Sequence, residues 1–469
     1  MLNMRHLANN SQNNDVSGVS NAPLGLPGVA SGGVIDGTSL DAVYGGHVVP
    51  AAKAEAKGMN ETAIQVLREM SASVPDSVPG MERQMLIGDL VAKLSPAERS
   101  TIRKLMDSYL RHMERIDASD IDVGGYGSQG NIWYRVYGDK KPFREFGQFS
   151  LDEFNVLIQT ILIERQRLFL YENRNLDFSY SILTNDTMYR FRANAYFDLD
   201  HLALNMRSIN NTVRPYKGLD LHSNVTKVLS LSYTEQGLTL ITGITGSGKS
   251  ATLDSIIDAN NHSVYGHVII IASPVEYVHK PDRCLIRHRE VGRDVLSFRE
   301  GAIQALRQDP DIIVIGEMRD PDTIMTALEI TDSGHKVFST LHTASAVETV
   351  DRIIGEMPPI EQERVRLRLA DTLSCVMSQK LVPSLDGKRV LAKELLIITP
   401  SVRAAIKNNN TGEIYQMMAE SAELGMTTLE QDLKRLYLQK KISLENAFVA
   451  ANNKRRFQQI MNMTGSIGD

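Results

Sequence analysis

Two short apolar runs set the pattern of this chain: Leu238-Thr239-Leu240-Ile241 and Val268-Ile269-Ile270-Ile271-Ala272. Runs of this length, bounded by polar and turn-forming residues, predict strands buried on both faces. Ile312-Ile313-Val314-Ile315 predicts a third, and Gly334 to Thr343 a fourth. Helix-like segments such as Ala251 to Ile257 lie between them. From about Gly218 onward, this alternation predicts a parallel sheet with helices on both faces. Upstream, Trp133 to Tyr137 and Tyr189 to Tyr196 alternate apolar or aromatic with polar positions, as half-buried strands do. Phe154 to Leu170 has a helical period, so the stretch from Ala118 to about Asn211 reads as mixed α and β.

The flanks differ. From Met81 to Arg115 apolar residues recur at three- and four-residue steps (Met85, Leu86, Leu90, Leu94, then Ile102, Leu105, Met106, Leu110), which predicts helix in a linker or small docking element. Residues 1 to about 60 are rich in Gly, Ser, Asn, Ala and Val without a period, and predict a disordered, partner-binding tail. After Pro400 the pattern is helical and polar to about Phe457. The expected division is a tail over 1–60, a helical element over 61–115, an α+β domain over 116–215, an α/β domain over 216–400 and a helical region over 401–469.

Composition narrows the class. The chain has 469 residues, 23% charged and 42% hydrophobic, as soluble globular proteins do. No apolar run approaches a membrane span of ~20 residues, and the N-terminus has no apolar core of a secretory signal. Cys284 and Cys375 make neither a disulfide framework nor a zinc site, which suits a reducing cytosol. A net charge of −5 argues against a nucleic-acid surface.

The chemistry centres on Gly243-Ile244-Thr245-Gly246-Ser247-Gly248-Lys249-Ser250, which fits the phosphate loop Gly-x-x-x-x-Gly-Lys-Ser/Thr between a strand and a helix. In such a loop, glycines let backbone N–H groups curl around phosphates and the helix N-terminus adds positive charge. Lys249 reaches the β/γ oxygens and the Ser250 hydroxyl ligates Mg²⁺. Glu317 ends an apolar strand about 60 residues on, where the carboxyl end of a parallel strand faces the ligand. Glu276 follows the strand Val268 to Ala272 and is a candidate general base. His342, at the end of another strand, is placed to sense the γ-phosphate, whereas His335 lies at the opposite end. Arg289, Arg293, Arg307, Arg319 and Arg352 are scattered through the same domain, any of them able to serve a developing phosphoryl charge.

Together these residues resemble the secretion ATPase superfamily of type II secretion, type IV pili and type IV secretion, and most of all its PilT-type pilus retraction (twitching motility) ATPases. The resemblance runs from about Ala118 to Phe457. It is carried by Ala118-Ser119-Asp120-Ile121, Leu176-Asp177-Phe178-Ser179-Tyr180, Arg190-Phe191-Arg192-Ala193-Asn194, Arg289-Glu290-Val291 and Ala305 to Asp311. Gly316-Glu317-Met318-Arg319-Asp320, Thr340-Leu341-His342-Thr343 and Gly425 to Leu429 complete it. It implies a RecA-like ATPase domain preceded by a PAS-like α+β domain, a homo-hexameric ring, and ATP with Mg²⁺ bound between the two domains. In that frame Glu317 is the Walker B glutamate near the metal, Glu276 the catalytic base and His342 part of the His box. Arg192 and Arg207 would face the phosphates, and arginines such as Arg289 and Arg293 would complete the nucleotide site, some of them in trans. A cytoplasmic motor is implied, peripheral at the inner membrane through a platform protein and working beside a paralogous motor, with no direct nucleic-acid contact. Two departures stand out. Ala272 and Ser273 occupy positions where the family's Asp box usually carries acids, and the retraction motif reads Ser401 to Asn408, keeping Arg403 and Ile406. The alternatives are a type IV secretion ATPase and an ATP-binding, weakly hydrolysing regulatory subunit.

Overall fold

The computed structural model of the protein describes the backbone of residues 50–184, 187–209 and 212–465, and side-chain surroundings for 60–183, 188–209 and 212–462. The tail expected over residues 1–60 lies outside the described residues up to residue 49. The chain divides into two units, Met1–Glu55 and Ala56–Asp469, and all but the start of the first helix belongs to the second.

Three helices open the described chain: α1 (Pro50–Ala72), α2 (Gly80–Lys93) and α3 (Pro96–Arg115). Ser95 starts α3 with a capping box, its hydroxyl accepting from the Glu98 N–H while the Glu98 carboxylate accepts from the Ser95 N–H. Ile102, Leu105, Met106, Tyr109, Leu110 and Met113 form its buried stripe. The segment expected as a linker or docking helix therefore shares one core with the strands beyond it, joined by Ala63 and Leu67 of α1 and by Ile87 and Val91 of α2.

That core lies against a six-stranded antiparallel sheet of β1 (Ala118–Gly124), β2 (Ile132–Val136), β3 (Asp139–Phe143), β4 (Asn175–Thr184), β5 (Thr187–Asp198) and β6 (His201–Ile209). Its order is β3-β2-β1-β6-β5-β4, with α4 (Leu151–Ile161) and α5 (Glu164–Asn173) inserted before β4. Ile121, Phe178, Phe191, Ala193 and Met206 belong to the core shared with the helices. Register sets a polar row across the sheet: Ser179, Arg192, Arg207 and Asp120 stand opposite one another on β4, β5, β6 and β1. The edge strand β3 reads Asp-Lys-Lys-Pro-Phe, and its Lys140 pairs with Asp122 at 2.6 Å.

After α6 (Ser223–Leu229) comes a seven-stranded sheet of β7 (Gly237–Thr242), β8 (Gly266–Ala272), β9 (Cys284–Glu290), β10 (Ile312–Ile315), β11 (Lys336–Leu341), β12 (Leu373–Pro383) and β13 (Arg389–Ile397). The order is β13-β12-β7-β11-β10-β8-β9, parallel throughout except for β13. Residues 384–388 join β12 to β13, too short a link for a crossover, so that pair is an antiparallel hairpin. Every residue of β7, β10 and β11 is buried. Ile241, Val268, Ile270, Val314 and Phe338 pack on α6 and α7 (Lys249–Ser263). Leu238, Leu240, Ile269, Ile271, Ile313 and Ile315 pack on the opposite side, against α8 (Phe298–Ala305), α9 (Pro321–Asp332), α10 (Ala346–Gly355), α11 (Pro359–Thr372), α12 (Pro400–Lys407) and α13 (Ile414–Glu420). Helices α14 (Leu429–Leu438), α15 (Leu444–Ala450) and α16 (Lys454–Gly465) cover the outer end of β12 and β13 through Leu433, Leu436 and Phe457. The mixed α/β class and the helices on both faces are thus as the pattern predicts.

Candidate functional site

The carboxyl ends of β7, β8, β10 and β11 point the same way, because these strands are parallel. The segments leaving them carry the phosphate loop, Glu276, Glu317 and His342, so the topology assembles four stretches scattered over about a hundred residues of sequence. The loop runs from β7 to α7. Gly243, at φ +145°, has no room for a side chain: a Cβ there would meet the Gln379 carbonyl and Ser247 Oγ, each at 2.5 Å. Gly248 caps α7 in the left-handed region at φ +86°, which suits glycine. Thr245, Gly246 and Ser250 are exposed at the rim, while Ser247 is buried. Gln379 of β12 supports the loop from below, donating to the Ser247 carbonyl at 2.7 Å.

Lys249 is buried, and its ammonium donates to the Gly243 carbonyl at 2.9 Å and the Ile244 carbonyl at 3.3 Å. Burial lowers its pKa, opposed by the charges of Glu317 and Glu276, which places both carboxylates within the field of the lysine. Lys249 Nζ also lies 3.4 Å from Nδ1 of His342. The other ring nitrogen of His342 is 3.8 Å from Glu317, whose carboxylate takes Arg319 Nε at 2.8 Å. Burial and then the Lys249 charge push the His342 pKa down, favouring the neutral ring. Arg352 donates to the His342 carbonyl at 3.2 Å. Two hydroxyl contacts fasten the β10 and β11 ends that carry these groups: Ser339 to the Ile315 carbonyl at 2.6 Å, and Thr340 to the Gly316 carbonyl at 2.7 Å.

The predicted arginines divide. Arg319 and Arg352 join the cluster. Arg192 and Arg207 sit side by side on the polar row of the six-stranded sheet, Arg207 held by Asp120 at 2.8 Å. The sheet register and the Asp120 pair account for their placement, and the cluster around Lys249 is built without them. Arg289 lies on the edge strand β9 and donates to Gln304 at 2.7 Å. Arg293 follows that strand near Arg190, whose pKa is lowered by burial first and then by the Arg293 charge, against the opposing charge of Glu290. Arg403 and Lys407, the basic residues of the Ser401 to Asn408 segment, both pair with Asp371 of α11, at 3.1 and 2.8 Å. Sequence reasoning did not single out Gln379 or Arg190; an amide within the largely apolar run of β12 was the one signal available for the first.

A family model described as type II/IV secretion system protein matches residues 96–390. The type IV pilus retraction ATPase PilT of Pseudomonas aeruginosa is 39% identical over 295 residues, covering 63% of this chain and 84% of that protein. A crystal structure of the pilus retraction motor PilT with bound ADP superposes with a TM-score of 0.67 at 35% identity, over 75% of this chain and 98% of that one. The ATPase DotB of Legionella pneumophila gives 0.65 at 28% identity, over 76% and 95%. The match begins inside the helical element that precedes the six-stranded sheet and runs past the phosphate loop to the last strand. The chain belongs to the type II/IV secretion system protein family.

Proposed function

We propose that this protein is a hexameric ATPase motor that couples ATP hydrolysis to type IV pilus retraction or to a related secretion machine. The convergence of Lys249, Glu317 and His342 at one end of the parallel sheet, within the field of Glu276, carries the reading. The residues fit a nucleotide with Mg²⁺. Gly243, closed to any Cβ by the Gln379 carbonyl and Ser247, lets the loop lie tight on β12, and Gly246 leaves bare backbone at the exposed rim for phosphates. Lys249 would hold the β/γ oxygens, and Ser250 and Glu317 the metal. In this reading the six-stranded sheet is a PAS-like domain (116–215) and the seven-stranded sheet a RecA-like domain (216–400). The helices before them form a separate element (61–115), and those after them the C-terminal region (401–469). Arg289, which donates to Gln304, and Arg293, beside Arg190, are proposed as further nucleotide-site arginines. Among the described residues no helix is long and apolar enough to cross a membrane. The proposed place is the cytoplasmic side of the inner membrane, on a platform protein and beside a paralogous motor.

Chemistry follows from the positions. Lys249 neutralises phosphate charge, and Glu276 accepts a proton from the attacking water. His342, its pKa lowered by burial and by the Lys249 charge and its ring adjacent to both Lys249 and Glu317, registers the terminal phosphate. Glu276→Gln is expected to retain ATP affinity and cut steady-state turnover by about 10²–10⁴-fold. Glu317→Gln should change the Mg²⁺ dependence as well as the rate. Wild-type turnover no faster than that of Glu276→Gln would favour the regulatory-subunit reading, which Ala272 and Ser273 at the end of β8 motivate.

A further inference from the structure

Glu276 lies in a stretch between β8 and β9 with no regular secondary structure, so side-chain contacts must hold it in place. Its neighbour Val275 is buried, and both of its backbone polar groups are taken by one pair of charges. The Val275 N–H donates to Oε2 of Glu290 at 3.2 Å, and its carbonyl accepts from Arg190 at 2.5 Å. Arg190 reaches the same Glu290 oxygen at 3.4 Å, and the Ser179 hydroxyl donates to the other at 2.7 Å. Glu290 ends β9 of the seven-stranded sheet, whereas Arg190 and Ser179 come from β5 and β4 of the six-stranded one. The two charged side chains are only 9% and 7% exposed.

The far side of Glu276 is anchored as well. Tyr277 packs edge-on against His279 at 4.7 Å between ring centroids. The His279 N–H donates to Nε2 of His288 at 3.1 Å, and its ring lies 3.2 Å from Asp254 of α7, the helix that the phosphate loop opens. Glu276 therefore sits between a contact with the other sheet and a contact with the nucleotide helix.

We propose that the Arg190–Glu290 pair is a positioning latch: through Val275 it sets where Glu276 stands, so turnover depends on how the six-stranded sheet engages the seven-stranded one. This rests on the reading of Glu276 as general base. A buried ion pair is often replaceable by apolar residues without loss of stability, and its best-attested use is to fix a register. Here it fixes a single residue, next to the candidate base.

The test uses the full-length chain and measures kcat, KM for ATP and the affinity for a fluorescent ATP analogue. Arg190→Met leaves Glu290 buried without its partner and can fail to fold, so Arg190→Met/Glu290→Gln, which removes both charges, is made alongside. The double variant should lose about 10²-fold in kcat, the cost of displacing a reacting group by ~1 Å, with analogue affinity unchanged. Arg190→Lys, which keeps the charge, should recover part of the loss. On a Glu276→Gln background the double substitution should cost nothing more, because the group it positions is already gone. Losses that multiply on that background, or a wild-type kcat in the double variant, would overturn the latch while leaving Glu276 as base. Wild-type kcat in Glu276→Gln alone would overturn both.

Discussion

Lys249 directs its donors close to home, onto two carbonyls of its own loop and beside His342. It is already gathered where phosphate oxygens would arrive, with burial working against its charge and Glu317 and Glu276 sustaining it. Lys249→Ala is therefore expected to cost about 10²-fold or more in ATP turnover, on the scale of removing one preorganised donor to a reacting phosphoryl group. Its melting temperature should stay close to wild type, because the ammonium bonds only within its own loop and to the neighbouring histidine. Steady-state hydrolysis and a thermal melt check this, and unchanged turnover would sink the phosphate-loop assignment. These residues were legible in the sequence because the motif is contiguous and fixes their spacing. Gln379 was not, since it lies 132 positions from the Ser247 carbonyl it supports. Glu290 stood in a recognisable motif, yet nothing in a linear string says that its carboxylate meets Arg190.

At the scale of elements, the central strands were plain. β7, β10 and β11 are buried at every position and so read as largely apolar runs. The edge strand β9, Cys-Leu-Ile-Arg-His-Arg-Glu, was hidden because Glu290 serves the inter-sheet contact, His288 and Arg289 bond within their own domain, and Leu285 and Arg287 are exposed. β12 and β13 pair as a hairpin whose polar members have buried tasks. One of these is Glu394 of β13, which accepts from the N–H groups of Ala346 at 2.6 Å and Leu429 at 3.4 Å, the first residues of α10 and α14. Burial raises its pKa to about 7, helped by Glu430 and opposed by those two N–H groups and Lys380. A carboxyl raised in the folded state binds a proton that the unfolded chain has released. Stability is thus fully present below the ordinary carboxylate range and lost as the pH rises through about 7. Wild type should lose about 2 kcal/mol between roughly pH 5.5 and pH 7.5 through this group alone, and Glu394→Gln should flatten that part of the profile. Melts of the two proteins at both pH values give the comparison, and parallel profiles would remove Glu394 as the cause.

At the scale of the whole molecule, the two sheets meet through groups of high consequence, and the proposed ring has to be built from copies of this unit. Light scattering at micromolar concentration with an ATP analogue should report about six chains. A strict monomer under every nucleotide condition would rule the ring out. Neither the sheets' mutual contact nor the engagement of Arg289 with Gln304 was legible in the sequence, because one joins β5 to β9 and the other β9 to α8, elements that only the tertiary fold brings together.

The edge of the six-stranded sheet adds a constraint on any such assembly. β3 ends the sheet with Lys140, Lys141 and Pro142 in succession: two charges that resist a neighbouring backbone and a residue that has no N–H to offer it. A second copy arriving there finds a poor template for a further strand, and is better held through side chains. Side-chain contacts let go singly and re-form elsewhere, whereas a shared backbone ladder has to be peeled apart. In the ring proposed above, subunits that met at this edge would be free to change their lean between nucleotide states without coming unstitched.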